Sequence, residues 1–532
     1  MQHPNWTWRD RAEGAIPRGV ALDPGVEPVD GIRAFPTAYL PDRLLISRRM
    51  DAENGAYDRD LRALQQAAEA FGWKLEVDKD DVVRSGRDAE MLPAVPVVHR
   101  AVLTTPDLPR EGESPVPPDA WRVLQRARRI VGDDLPTAGL EHVLAIDPVG
   151  LNPFTRTNPF TRTNPFTRTN PVRGAGAVGS DDYLEPGRGG RQPIAWIGPT
   201  PTRAPVPRGR RRAVVCVLDT GCGVHEWLPD DIVTRGIELD GIPVGLTGDD
   251  DPERFPDLYG QLDGEIDAVA GHGTFIAGIL RQTAPDADIL AIRVAGSLGV
   301  VDESSFLQTV AAVVELQRRF VAGEVGGHPI DVLNLSLGYY HETPEDGRFS
   351  TVLHELLTEA RAQGTVVVCS AGNDAIDRPT FPASLWAWPD AGNGIRPDRH
   401  VPLVSIGAVN PSGRSISLFS NVGPWVQGFA PGAMVVSTTP SFVGGAQAAS
   451  SWPVDGRDRQ TVDPDDYRGG FAAWSGTSFA APYVAGRVAA AAGPAPAKGR
   501  VPTTRMKQAV ATVLDDLPTG RAEGPAPGSS GS

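Results

Sequence analysis

Residues 213–221 read AVVCVLDTG. Six apolar residues in a row end at an aspartate, and a Thr-Gly turn follows. A strand with one wet face alternates polar and apolar residues. This run does not alternate, so it reads as a strand buried on both faces. Such a strand needs a layer of structure above it and another below.

Runs of the same kind follow it: ADILAIRV (287–294), IDVLNLSL (330–337), TVVVCS (365–370), LVSIGAV (403–409) and AMVVS (433–437). Helical patterns separate several of them. One begins at His272 in GHGTFIAGIL (271–280), one is DESSFLQTVAAVVELQRRF from Asp302, and one is FSTVLHELLTEARAQG, closed by Gly364. Apolar strands alternating with helices predict an α/β domain over 211–518, a parallel sheet with helices on both faces. Function in such sheets gathers at the carboxyl ends of the strands.

A smaller domain is predicted at 36–150. DRLLIS, KLEVDK, VVHRAVLTT and LEHVLAID read as strands. YDRDLRALQQAAEAFG (57–72) and DAWRVLQRARRIVG (119–132) read as helices, the second capped by Asp119. The order βαββαβ predicts an α+β ferredoxin-like module. His99 and His142 read as ordinary strand residues within it. Residues 1–35 and 519–532 are expected to be disordered.

Between the domains, NPFTRT occurs three times from Asn152. Proline at every sixth position opposes both helix and central strand. Residues 151–210 therefore read as a semi-extended linker. The other reading is a tether whose arginines dock on an acidic face of the next domain.

Bulk composition narrows the function. The 532 residues carry a formal charge of −15, which disfavours nucleic acid and anionic lipid as partners. Cys216, Cys222 and Cys369 match neither a disulfide framework nor a zinc pattern, and read as reduced structural thiols. The first residues lack the apolar core of a signal peptide, and no apolar run is long enough to span a bilayer. On these grounds the protein is expected to be cytoplasmic, with no membrane partner; secretion by another route stays open.

Four residues stand at strand or helix ends with chemistry to offer. Asp219 closes the first strand; alone it could be a turn aspartate bonding its own backbone. His272 opens a helix between Gly271 and Gly273; alone it could cap the helix or fill core. Ser478, in FAAWSGTSFAAPYVAG, opens another helix, where serine is a favoured cap. Free N–H groups at such a helix end could equally stabilise an oxyanion beside a nucleophile. Asn373, in VVVCSAGND, is either a turn residue or a side-chain donor to that oxyanion.

The order and context of VLDTG, GHGTFIAG, SAGN and GTSFAAP resemble the subtilisin-like serine proteases, the subtilases. The resemblance covers about 213–515 and includes NLSLG (334–338), VSIGAV (404–409), FSNVG (419–423), APG (430–432) and RMKQAVATVL. It implies a serine endopeptidase with Asp219, His272 and Ser478 as catalytic triad, acting through an acyl-enzyme. Asn373 and the Ser478 N–H would form the oxyanion hole. It also implies that Ser336, Leu337 and Gly338 form one substrate-binding edge and Gly296 to Gly299 the opposite one. Extended or unfolded polypeptide would be the substrate. The smaller domain resembles a propeptide, an inhibitor or folding helper removed within the linker, with PRGRRR (207–212) a candidate cleavage site; alternatively it stays attached as a docking domain.

No cofactor is required by this reading. Acidic residues in an insertion at about 441–470 could hold calcium, but no ordered ligand spacing supports a metal. Cys222 lies close to Asp219; it either packs there or exposes the site to oxidation. Two other functions use the same residues: a peptide ligase or cyclase that passes the acyl group to an amine, and an inactive peptide-binding scaffold.

Overall fold

The computed structural model describes residues 19–48, 55–82, 96–105, 116–146, 183, 189–259, 266–343, 351–387, 399–445 and 447–518. The NPFTRT repeats and the tail at 519–532 lie outside the described residues.

The N-terminal domain comprises β1 (Val20–Ala21), β2 (Ala38–Arg48), α1 (Gly55–Ala70), β3 (Lys74–Val82), β4 (Val97–Thr104), α2 (Ala120–Val131) and β5 (Ala138–Ala145). Its sheet is antiparallel in the order β5-β2-β4-β3, with β1 added beside β2. Helix α2 starts where Asp119 accepts the N–H groups of Trp121 and Arg122, and it stops at Gly132 in the left-handed conformation. Leu64, Ala67, Trp121 and Leu124 of the two helices pack with Leu44, Ile46 and Leu140 of the sheet.

The disorder expected of 1–35 does not extend over the described part of that segment, which begins at residue 19; residues 1–18 lie outside the described residues. From 20 to 35 the chain is bound to this domain: Leu22 is buried in its core and Glu27 pairs with Arg126 and Arg129 of α2. The Pro, Gly and charged residues that suggested disorder turn the chain and form these ion pairs instead.

The larger domain continues with β6 (Gln192–Ile194), β7 (Arg210–Arg211), β8 (Val214–Asp219), β9 (Val233–Arg235), a hairpin of β10 (Glu238–Leu239) and β11 (Ile242–Pro243), α3 (His272–Thr283), β12 (Asp288–Arg293), β13 (Val300–Asp302), α4 (Glu303–Ala322), β14 (Val332–Leu335), α5 (Thr351–Ala362), β15 (Val366–Ser370), β16 (Leu403–Val409), β17 (Gly428–Pro431), β18 (Val435–Thr438), β19 (Phe471–Trp474), α6 (Thr477–Ala492), β20 (Ala495–Pro496) and α7 (Thr503–Asp515). Seven strands form a parallel sheet in the order β17-β16-β15-β14-β8-β12-β9.

The opening run behaves as its apolar character demands. Val215 and Val217 face a core with Ile276 and Ile279 of α3, Val484 and Val488 of α6 and Val510 of α7. Val214, Cys216 and Leu218 face the opposite core, with Phe306 and Val310 of α4 and Leu353 of α5. Each such side chain contributes roughly 1.5–3 kcal/mol when removed from water.

Two expectations change. AMVVS does not extend the parallel sheet. Met434 has a left-handed φ of 54°, and the chain departs into an antiparallel sheet, β18-β19-β6; Gly428–Pro431 supplies the edge strand of the parallel sheet instead. The linker also ends earlier than residue 210. Strand β6 pairs with β19, and Arg203 bonds the carbonyl of Asp231 and pairs with Asp288, so the chain from 189 onward belongs to the larger domain.

Of the PRGRRR stretch, Pro207–Arg210 is exposed while Arg211 is tied down. Its guanidinium meets Asp331 twice, at 2.5 and 2.9 Å, and Asp331 also accepts the Val214 N–H at 2.8 Å. That carboxylate fixes the starts of β8 and β14 together. Asp331→Ala leaves a guanidinium and a strand N–H without their acceptor, and should cost about 3–5 kcal/mol of stability in urea unfolding.

Candidate active site

The site lies at the carboxyl ends of β8 and β15 and at the starts of α3 and α6. Asp219 is the last residue of β8 and His272 the first of α3; both are fully buried. His272 Nδ1 stands 2.8 Å from Asp219 Oδ1. The same oxygen accepts the Thr220 N–H at 2.8 Å, so the buried carboxylate has a backbone donor as well as the ring. Gly273 permits the approach: a Cβ there would lie 2.0 Å from the carbonyl oxygen of Gly221. The other imidazole nitrogen, Nε2, is buried without a hydrogen-bond partner.

Ser478 lies in the first turn of α6, 1% exposed. Pro482, four residues on, has no N–H to give the Ser478 carbonyl. Ser336 Oγ donates to that carbonyl instead, at 2.9 Å, and so ties the end of β14 to the start of α6. Ser478 Oγ makes only a long bond, 3.4 Å, to the Ser336 carbonyl. Phe479 and Trp474, on either side of Ser478 in the chain, both pack on the His272 ring, with centroids 5.1 and 5.5 Å away.

Asn373 follows β15. Its Oδ1 accepts the Thr477 N–H at 2.8 Å, which leaves its amide nitrogen turned to the space beside Gly476, 3.7 Å from where a Cβ would sit. All four predicted residues thus converge on one region.

The two predicted edges flank a strand of the protein itself. Gly338 exchanges both backbone hydrogen bonds with Ala145, each 3.0 Å, and the Gly299 carbonyl accepts the Ile146 N–H at 2.7 Å. Leu337 buries its side chain in the core below. Gly296 accepts the Gly299 N–H in a turn and makes no bond to the strand among those observed.

His142 is not an ordinary strand residue. It is buried within β5 with both ring nitrogens 2.7 Å from carboxylates of the larger domain, Glu303 and Glu342. Burial alone would lower its pKa; the two carboxylates outweigh burial and raise it to about 10. With His341 and Glu342 it is also the group of described residues close enough to share a metal ion, although hydrogen bonds already occupy its nitrogens.

Two further residues carry no motif and escaped the sequence reading. Arg191 donates to the carbonyls of Ile266, Asp267 and Ala270 and lies over Trp474, 4.7 Å from the ring centroid, so the strap through β6 braces the loop that delivers His272. Glu253 is buried behind Asp219 and His272. Burial distinguishes Glu253 from the many surface acids, and carbonyl partners far along the chain distinguish Arg191 from the surface arginines.

The thiols are buried and unpaired, and burial pushes Cys222 up to about 12, which opposes reaction there. In the 441–470 insertion, Asp466 is paired with Arg468. No helix among the described residues is long and apolar enough to cross a membrane.

The chain is 28% identical over 290 residues to an intracellular serine protease of Paenibacillus polymyxa, covering 52% of this chain and 66% of that one. It is 28% identical over 272 residues to subtilisin-like protease 4 of Trichophyton tonsurans, covering 50% of this chain and 54% of that one. The chain thus spans between about half and two thirds of the length of these relatives. A solved structure, that of a cold adapted subtilisin-like serine proteinase, aligns at 23% identity and a TM-score of 0.33, over 54% of this chain and 80% of that one. Residues 210–519 match the model of the subtilase family, and the chain belongs to that family.

Proposed function

We propose that the protein is a serine endopeptidase that hydrolyses peptide bonds in extended or unfolded polypeptide. The observation that carries this reading is the buried imidazole of His272, bonded to Asp219 through Nδ1 while Nε2 stays without a partner beside the helix that bears Ser478. Ser478 Oγ gives up its weak bond to Ser336 and attacks the substrate carbonyl. Its proton passes to His272 Nε2. Asp219 keeps the ring in the tautomer that can receive that proton and stabilises the imidazolium.

The tetrahedral oxyanion is met by the Ser478 N–H and the Asn373 amide, whose orientation the Thr477 N–H supports. His272 then protonates the departing amine, leaving an acyl-enzyme that water hydrolyses by the same steps in reverse. Gly338 and Gly299 offer backbone groups to a substrate strand on either side. Backbone pairing recognises extended conformation more than side-chain identity.

The N-terminal domain acts as inhibitor in this reading. Its strand β5 pairs with β13 along Val143–Ala145, and Ala145 and Ile146 occupy the backbone groups that a substrate would use. Gly299 suits that role, since a Cβ there would stand 2.9 Å from the Ile146 carbonyl oxygen. Further contacts fasten the domain: Phe35 N–H to the Glu342 carbonyl at 2.8 Å, Arg378 to the Pro36 carbonyl at 2.5 Å, and the His142 pair described above.

Three outcomes are expected. A fluorophosphonate should label Ser478, and Ser478→Ala should abolish both labelling and peptide hydrolysis; intact labelling in that variant would remove the reading, and mass spectrometry of products should show hydrolysed ends rather than joined ones. Asn373→Ala should lower kcat on the order of 100- to 1000-fold with little change in KM, the range known for loss of this donor in a subtilisin. His142→Ala strands Glu303 and Glu342 as buried carboxylates without their cation, a loss of about 3–5 kcal/mol in docking, and should speed labelling of the full chain at least about 10-fold. Because the pKa of His142 is raised in the docked state, its contribution is complete below the ordinary range of histidine and fades as pH rises toward about 10; release of the domain should therefore be favoured on the alkaline side.

A further inference from the structure

Glu253 is a fully buried carboxylate that the mechanism above does not use. Its Oε1 accepts the Thr220 hydroxyl at 2.5 Å and the Gly273 N–H at 3.0 Å; its Oε2 accepts the Thr274 hydroxyl. It therefore joins the residue after Asp219 to the two residues after His272. None of these donors is charged.

Thr220 has one hydroxyl proton and two carboxylates in reach of it. Glu253 stands at 2.5 Å and Asp219 Oδ1 at 3.2 Å. While Glu253 is ionised the proton belongs to Glu253. Once Glu253 takes up a proton it becomes a donor towards a threonine oxygen, and the Thr220 proton can turn to Asp219 Oδ1. That oxygen already receives the Thr220 N–H and the His272 ring. A third donor would draw off its charge, and the nearby negative charge of Glu253 would be lost in the same event. Both changes disfavour the imidazolium that forms when His272 accepts the serine proton.

We propose that Glu253 is a positioning residue of the triad, acting through the Thr220 hydroxyl to set how strongly Asp219 supports His272. The proposal rests on the triad assignment above. The surroundings suit the role. Asp251 and Asp219 are negative charges near Glu253 that oppose its ionisation. Burial raises it most, to about 7, with the hydroxyls of Thr220 and Thr274 working against that rise. Cys222 lies near with a buried thiol. Arg293 passes close by Gly221 but turns its guanidinium to Gly248 and Asp250, and Arg235 bonds the carbonyls of Cys222, Gly223 and Leu228.

The test is Glu253→Gln in the full chain, assayed with a small peptide substrate across pH. The expected result is a kcat about 10-fold lower with KM within about twofold, and an acidic limb of kcat/KM moved to lower pH, as loss of a nearby negative charge requires. A variant that melts earlier but keeps the original limb, or that loses activity through KM, overturns the proposal. A second measurement needs neither activity nor this variant. Imidazole nitrogen signals of His272, followed by NMR in the Ser478→Ala chain, should show an inflection near pH 7 from Glu253; signals without it overturn the proposal. If instead the unaltered chain takes up no fluorophosphonate, the protease reading fails while the NMR result still judges the coupling.

Discussion

The His272–Asp219 hydrogen bond is the contact on which the remainder of the site depends. A carboxylate and an imidazole are held together out of water, where an unpaired ion would be costly. The arrangement is possible because backbone N–H groups and threonine hydroxyls surround the acids, and because the loop after β8 and the start of α3 approach closely at Gly273. The parallel sheet delivers one partner, the helix above it the other, and Glu253 braces both from behind.

The same economy of contacts joins the two domains. Strand β5 completes the sheet of its own domain on one side and accepts β13 on the other, so the N-terminal sheet runs on into the larger domain. One face of that sheet is covered by its own helices. The opposite face sends Leu45, Val98 and Leu144 into the core that includes α4. At the seam, a buried histidine lies between two buried acids contributed by the other domain. Backbone pairing orients the strand, and the ionic contacts hold it in register along the edges near Ser478.

The strap through β6 bears on where a cut could separate the domains. Because β6 pairs with β19 and Arg191 braces the His272 loop, the chain from 189 onward contributes to the site itself. A break upstream of the strap would keep these contacts covalently attached. A break in the exposed Pro207–Arg210 turn would leave β6 held by hydrogen bonds and packing alone.

The sequence by itself determined the elements whose signals are local. The unbroken apolar runs at 213–218 and 403–409, the Asp119 cap, and the four motif residues at element ends were all legible, because periodicity, capping and turn chemistry act over a few residues. AMVVS was legible as a strand but its sheet was not, since one left-handed residue sent it to another partner. His142, Glu253 and Arg191 were illegible for a single physical reason. A charged side chain acquires its role only when folding strips its water and brings partners from far along the chain, and neither burial nor partner is written in its immediate neighbours. The tertiary structure alone decided those, together with the placing of Ala145 and Ile146 between Gly338 and Gly299.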